Sequence, residues 1–314
     1  MTHYKNHTVE VQDNADGSAL IISSIPEASN PNEVDVQSDS VAGTIYPEQI
    51  STVGQKQMFR FSTFDIPKVI DAFGLIGRDV VSGSGKVGVA LYQAKYNNAT
   101  ISAGSTHRRL IFNKSYNSIR TISVSHRQDA RAQCESMAIY DGTNNPLAFG
   151  ETVALPSVPA SSGRWTIGAI TIGGVDIPCN VQLDIDFGIN LESFGCDSDV
   201  WDTHLNLDDI KPKISITSLD PTIFKASSGV PLIGLQGTHA NTAIYLRKRV
   251  TSGLASFVAD VTAEHIKITA EGVVHVTEGI NASGNQKGQT RLEMWCRFDG
   301  TNAPLVFDTT SAIT

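Results

Sequence analysis

The chain is short of the residues that most catalysis and most disulfide scaffolds need. Only four cysteines, Cys134, Cys179, Cys196 and Cys296, occur in 314 residues, and none forms a Cys-x-x-Cys pair. Neither a disulfide framework nor a zinc ribbon follows from that spacing, and the thiols read as reduced, in a protein made in a cytoplasm. The Asn-x-Ser/Thr sites at Asn6, Asn98, Asn113 and Asn281 are then chance occurrences. No apolar run approaches the roughly 18 residues that a membrane-spanning helix requires. The polar opening Met1-Thr2-His3-Tyr4-Lys5-Asn6 has no apolar core of a secretory leader, so none is expected. Charged residues are sparse at 18% against 40% hydrophobic, which excludes a disordered chain. The net charge of −8 disfavours tight, sequence-specific binding to a phosphate backbone.

Catalytic and ligand-binding signatures are missing as well. Gly83-Ser84-Gly85-Lys86 resembles a phosphate loop, but position 80 is Val where Gly is needed, and Val87 replaces the magnesium-binding hydroxyl. It reads as a flexible turn. No Gly-x-Ser-x-Gly elbow occurs. Only His3 and His7 have a His-x-x-x-His spacing, without the Glu of a metalloprotease, and they read as a frayed terminus. His265 and His275 read as partly exposed residues on strands. Asp141-Gly142-Thr143-Asn144 lacks the alternating acids of a calcium loop and reads as a hairpin turn. The basic stretches His107-Arg108-Arg109, His126 to Arg131 and Arg247-Lys248-Arg249 are local, and acidic neighbours are their expected partners. No catalytic, cofactor or metal residue is assigned, and the chain is expected not to be an enzyme.

What is present is a repeat. Residues Asp141–Phe149 recur as Asp299–Phe307, with seven of nine positions identical and a separation of 158 residues. A second block, Tyr46 to Val69, lies over Trp201 to Phe224 at a shift of 155. Phe59-Arg60-Phe61 then matches Ile214-Ser215-Ile216, and Asp65 matches Asp220. Two blocks at nearly one shift indicate one domain written twice. The expected boundaries are 1–154 and 164–314, with the Pro/Ser/Gly-rich stretch 155–163 as linker.

Within each copy, short Val/Ile runs between Gly, Asn and Ser turns favour β-structure. Thr8–Val11, Ala19–Ile22 and Phe59–Phe61 read as strands and 26–40 as loop, and the second copy opens with Trp165–Ile172. Val87–Leu91 pairs with Pro231–Leu235 as a matching strand, Arg109–Phe112 with His265–Ile268, and Ile119–Ser125 with Val273–Thr277. Asp65-Ile66-Pro67 and Asp220-Pro221 are helix starts, one short helix per copy, the first ending at Gly74.

The strongest periodicity is Val181–Glu192, where odd positions are apolar and even ones polar or small. That predicts a single strand of roughly 40 Å with one face in water. Asp184, Asp186 and Glu192 stand on that face, and Asp35, in the weaker alternation Glu33–Gln37, is their first-copy counterpart. An i, i+2 acid pair on such a strand marks a solvated face rather than a catalytic dyad.

The tandem blocks, the twin Asp-Gly-Thr-Asn turns and the acidic alternating strand together resemble the tail-tube (major tail) proteins of long-tailed bacteriophages, in the form with two fused tube domains. The resemblance implies a mainly β fold of two tandem β-sandwich, tail-tube-like domains, each with one short flanking α-helix. It implies a virion protein of the tail, assembled in the host cytoplasm, whose inner sheets join around a lumen. Three chains would supply six domains, a trimer with pseudo-sixfold symmetry, and the rings would stack in a helical assembly. Partners would be further copies, the terminator, tape-measure and tail-tip proteins, and genomic DNA passing without specific binding. No cofactor and no membrane anchor are implied. Asp184, Asp186, Glu192 and Asp35 would face the lumen and repel DNA phosphates during ejection. Loops 27–44 and 192–202, or 95–106 and 237–242, are the candidates for ring-to-ring contacts. Other readings are another tandem-β virion component (baseplate, tail tip or head decoration) and a carbohydrate-binding or adhesin module.

Overall fold

The computed structural model describes residues 2–12, 19–39, 46–47, 49–81, 88–159, 163–196, 199–220, 237–250, 256–281 and 288–313. The first half contains β1 (Thr2–Gln12), β2 (Ala19–Ile22), β3 (Glu27–Ser29), β4 (Asn32–Asp39), β5 (Gln49–Thr63), helix α1 (Ile66–Phe73), β6 (Arg78–Val81), β7 (Val89–Asn97), β8 (Thr100–Ile101), β9 (His107–Phe112), β10 (Lys114–Ser125), β11 (Arg131–Ala138) and β12 (Leu147–Val153). The second contains β13 (Trp165–Ile172), β14 (Val175–Asp176), β15 (Asn180–Asp186), β16 (Ile189–Phe194), β17 (His204–Ile210), β18 (Lys213–Ser218), β19 (Gly237–Lys248), β20 (His265–Asn281), β21 (Gln289–Cys296) and β22 (Leu305–Ser311).

The fold is mainly β, and every ladder between these strands is antiparallel. A six-stranded sheet runs β12-β9-β7-β1-β2, with β8 on β7. A fourteen-stranded sheet runs β14-β13-β19-β20-β21-β18-β15-β10-β11-β5-β3 and carries β22, β4 and β6 as side branches. It crosses from one half of the chain to the other at a single ladder, β10 with β15. One buried row crosses that junction unbroken: Ala132, Ile122, Ile185, Ile214, Met294 and Val274 stand directly opposite one another in turn. Apolar surface on one face of the strands along this row is what holds so long a sheet to a core. In the first half the six-stranded sheet closes over that core. Val9, Val11, Val89 and Leu91 are buried, and Phe112 stacks on Phe59 at 5.0 Å.

Helix α1 starts where the sequence placed it, with Pro67 in its first turn and Gly74 at its end in a left-handed conformation (φ 67°). The Asp65 carboxylate does not cap the helix. It accepts a hydrogen bond from the Ser23 hydroxyl instead (3.1 Å). Ile66, Val69, Ala72 and Phe73 are buried, and Phe73 meets Phe61 edge-on. The expected second helix, after Asp220, and the loop at 83–86 lie outside the described residues.

The pairing registers of the two halves recur at near-constant shifts. Val34↔Gln55 and Asp39↔Gln49 of β4–β5 become Ile189↔Ile210 and Phe194↔His204 of β16–β17, all 155 residues on, and the irregularity between Asp35 and Val36 reappears between Asn190 and Leu191. Phe61↔Cys134 becomes Ile216↔Leu292. Tyr92↔Arg109 becomes Tyr245↔Lys267. Leu147↔Phe112 becomes Leu305↔Ala270. Local details recur too. Left-handed Ser24 (φ 57°) and Cys179 (φ 53°) are 155 residues apart. The Thr63 hydroxyl donates to Ser23 O and accepts from Asp65 N–H, as the Ser218 hydroxyl does with Pro178 O and Asp220 N–H.

Several expectations are corrected. Val181–Glu192 is not one strand. Its burial alternation persists, but the chain breaks at Phe187-Gly188 between β15 and β16. Gly188 is left-handed (φ 58°), and a Cβ there would lie 2.0 Å from Lys211 O, so the break requires glycine. The 26–40 stretch holds β3 and β4 rather than a loop, and β5 extends from Phe59–Phe61 back to Gln49. All of β4 is exposed, so its strand character comes from pairing with β5 and leaves no burial pattern to read. By register β7 (Val89↔Phe112, Tyr92↔Arg109) finds its counterpart in β19 (Thr242↔Ala270, Tyr245↔Lys267), while the expected partner 231–235 lies outside the described residues. By register His107, not Arg109, answers His265, and Ile119 answers Val276.

The twin motif is no hairpin, because β11 does not pair with β12, nor β21 with β22. It is a crossing loop held by its aspartate. Asp141 Oδ1 accepts the N–H groups of Thr143 (2.8 Å) and Asn144 (2.6 Å), and Oδ2 accepts the Asn144 amide (2.9 Å). Asp299 repeats this with Thr301 and Asn302. Burial works against the Asp141 charge, but the bonds from Asn144 and Thr143 outweigh it and hold the carboxyl below its ordinary range. The Asn302 backbone and side chain, then Thr301, do the same for Asp299. A carboxyl lowered on folding stabilises above its unfolded value of about 3.9, and that contribution is lost as pH falls through the folded value. Asp141→Asn with Asp299→Asn is therefore expected to melt below wild type at pH 7, with the gap closing below about pH 4. Thermal melts between pH 3 and 7 check this.

Candidate assembly surface

Opposite the buried row, the same eight-strand path β3-β5-β11-β10-β15-β18-β21-β20 presents a polar face. One polar row reads Arg131, Ser123, Asp184, Ser215, Glu293 and His275 across five ladders. Bases on this face pair with acids. Arg60 Nε lies 2.7 Å from Glu135, Arg131 meets Glu27, and Lys213 Nζ lies 3.0 Å from Glu293. Glu135 and Glu293, 158 residues apart, are each the centre of such a pairing, with Arg120 and Arg291 as second bases.

Asp184 and Asp186 differ. Among the described residues neither meets a base within ion-pair distance. Asp184 is half-buried and accepts from Gln182 Nε2 (2.6 Å), while exposed Asp186 accepts from Gly188 N–H (2.9 Å). They are the uncompensated acids of an otherwise balanced face. Asp35 and Glu192 do not join them. Asp35 stands opposite Gly54 on the β4–β5 ribbon, and Glu192 opposite Asn206 on the β16–β17 ribbon. Register also makes Asn190, not an acid, the counterpart of Asp35, and the counterparts of Asp184 and Asp186 are Ser29 and Pro31. The two halves thus line the face with different charge. Asp184, Asp186 and Glu192 were expected together because Val181–Glu192 reads as one strand, and Asp35 because Glu33–Gln37 reads as its first-copy counterpart.

An open groove of about 700 Å³ lies on this face, walled by Glu27, Arg60, Arg120, Arg131 and Glu135 over Cys134. Burial pushes the Cys134 thiol far above its ordinary range and the Cys296 thiol up to about 12, so neither is a nucleophile at neutral pH. No group of three or more metal-ligating side chains occurs among the described residues. Among the described residues no helix is long and apolar enough to cross a membrane.

His3 and His7 lie in β1 rather than in a frayed end, and His3 stacks on Tyr96 at 5.5 Å. Burial, then the nearby His107, lowers the His7 pKa. His265 is fully buried, not partly exposed. The basic stretches do meet acids: Arg108 with Glu151, Arg247 with Asp260 and Lys248 with Glu264. Arg249 reaches across to Asp129 of the first half at 2.7 Å.

Sequence reasoning missed the sheet edges. Beyond β10–β15, β3 ends the path on one side. On the other side, β20 past Val274 has β21 as its only neighbour among the described residues. Both are backbone features, and an unpaired edge has no side-chain signature. No protein-family model matches the chain, and no curated protein does.

Proposed function

We propose that the chain is a structural subunit of a long-tailed phage tail: two tandem tail-tube-like β domains, 1–154 and 164–314, that assemble as trimeric rings and stack into a conduit for DNA. The observation that carries this is the recurrence of the same ladders in both halves, set side by side in one sheet through β10–β15. A unit that already adds its own duplicate along a sheet is built to add further copies. Ring closure then removes the two remaining edges. The polar face supports a lumen role. Its bases are neutralised by neighbouring acids, and Asp184 and Asp186 remain to repel phosphate.

Light scattering with negative-stain imaging of purified protein tests the reading. Rings or tubes of uniform bore, with three chains per ring, are expected. A monomer at high concentration overturns it.

A further inference from the structure

The internal junction is a template for a second one. It consists of the β10–β15 ladder, Ile122↔Ile185 and Ser123↔Asp184 among its pairs, with three flanking backbone bonds. Phe187 N–H donates to Arg120 O (3.0 Å), Gln55 N–H to Val200 O (2.7 Å) and Tyr140 N–H to Asp202 O (2.8 Å). Gln55 also bridges to Trp201. Among the described residues, the following participants have counterparts in the other half. β3 answers β15, since Ala28↔Phe61 and Leu183↔Ile216 share a shift of 155. The end of β20 answers β10, since Arg131↔Ser123 becomes Gln289↔Asn281. Tyr46 and Pro47 answer Trp201 and Asp202, while Ile210 and Phe298 answer Gln55 and Tyr140.

We infer that a second copy of this chain docks head-to-tail with the same register: residues 29–32, at and just after the end of β3, of one copy against residues 277–281 of β20 of the next. Ser29 then stands opposite Asn281 and Asn30 opposite Ile280. Phe298 N–H meets Pro47 O, Asn32 N–H meets Thr277 O, and Ile210 lies beside Tyr46. Two observations point to this occupant. Tyr140 and Trp201, inside the internal junction, are half-buried, whereas their counterparts Phe298 and Tyr46 are 60% and 74% exposed. Also, β15, with a neighbour on both edges, has seven residues, whereas β3, with one, has three. The interface is heterologous, the kind that closes a ring instead of stopping at a dimer. This inference rests on the assembly reading above and specifies its edges.

Disulfide trapping tests it, in a Cys179→Ser, Cys196→Ser background. Two adjacent pairs are made, Ser29→Cys with Asn281→Cys and Asn30→Cys with Ile280→Cys, because alternate antiparallel pairs differ in spacing and the closer one cross-links. Mixing a Ser29→Cys chain with an Asn281→Cys chain, or the corresponding Asn30 and Ile280 chains, should yield cross-linked dimer on oxidation. Neither chain alone should. Both cysteines in one chain should give a ladder ending at three chains. Phe298→Asp should abolish assembly at an unchanged monomer melting temperature. Rings that form without cross-links in either pair, or a Ser29→Cys chain that cross-links to itself, overturn this junction and leave the assembly reading standing. Absence of any oligomer overturns both.

Discussion

Exchanging Asp184 and Asp186 together for lysine is expected to leave ring assembly intact and to stall DNA in the tube. Both side chains stand on the wet face of β15, away from the buried row of Ile122, Ile185 and Ile214. Their replacement therefore opens no cavity. The main structural loss is the Gly188 N–H bond to Asp186, worth about 1 kcal/mol. The electrostatic change is far larger in effect. Each exchange moves the local charge by two units at the acids that no base of the face compensates, and the new ammonium groups sit beside Lys213 across the ladder. Phosphate binding strengthens by roughly one released counterion per contact, so retention should be strong at low salt and fade as salt rises. Purified tubes loaded with duplex DNA, compared across ionic strengths, measure this directly. Asp184→Asn with Asp186→Asn separates loss of repulsion from gain of attraction, and should show a smaller effect of the same sign. DNA passage unchanged in the lysine variant would sink the lumen assignment for these residues.

The residues differ in how openly they announced their places. Ala19–Ile22 is a strand with the expected bounds, and α1 runs between the expected start and stop, because Pro67 and Gly74 act through their own backbone geometry. The repeat was legible from nine residues, since Asp141 and Asp299 each gather three hydrogen bonds that few other residues can make. The motif's architecture was not legible. Asp-Gly is a hairpin signal only if the flanking strands pair with each other, and pairing is decided elsewhere in the chain. In the same way, alternation across Val181–Glu192 is real in burial yet hides the turn at Gly188. A two-residue kink that restores the same facing leaves the period of two undisturbed. The candidate face was half visible. Asp184 and Asp186 were identifiable by parity, whereas the pairing of Glu135 and Glu293 with bases on other strands depends on register and was not.

The buried histidine of the second half should matter more than any charge on the surface. His265 is wholly enclosed at the start of β20. Its Nδ1 accepts the Lys248 N–H at 3.0 Å, so its proton sits on Nε2, which donates to Ala259 O at 3.1 Å. One ring thus ties β19, β20 and the preceding loop together through two backbone groups. His265→Ala strands both groups, at about 1–3 kcal/mol each, and adds a cavity. The total is on the order of 4 kcal/mol or more, a large part of the roughly 5–15 kcal/mol that holds a typical domain. His107 occupies the matching place in the first half and accepts the Lys95 N–H at 3.0 Å, with no counterpart of the Ala259 bond among the described residues. His107→Ala should therefore lose less, by about one buried hydrogen bond. Urea unfolding of the two variants side by side checks the difference. Equal losses would show that the Ala259 bond contributes nothing.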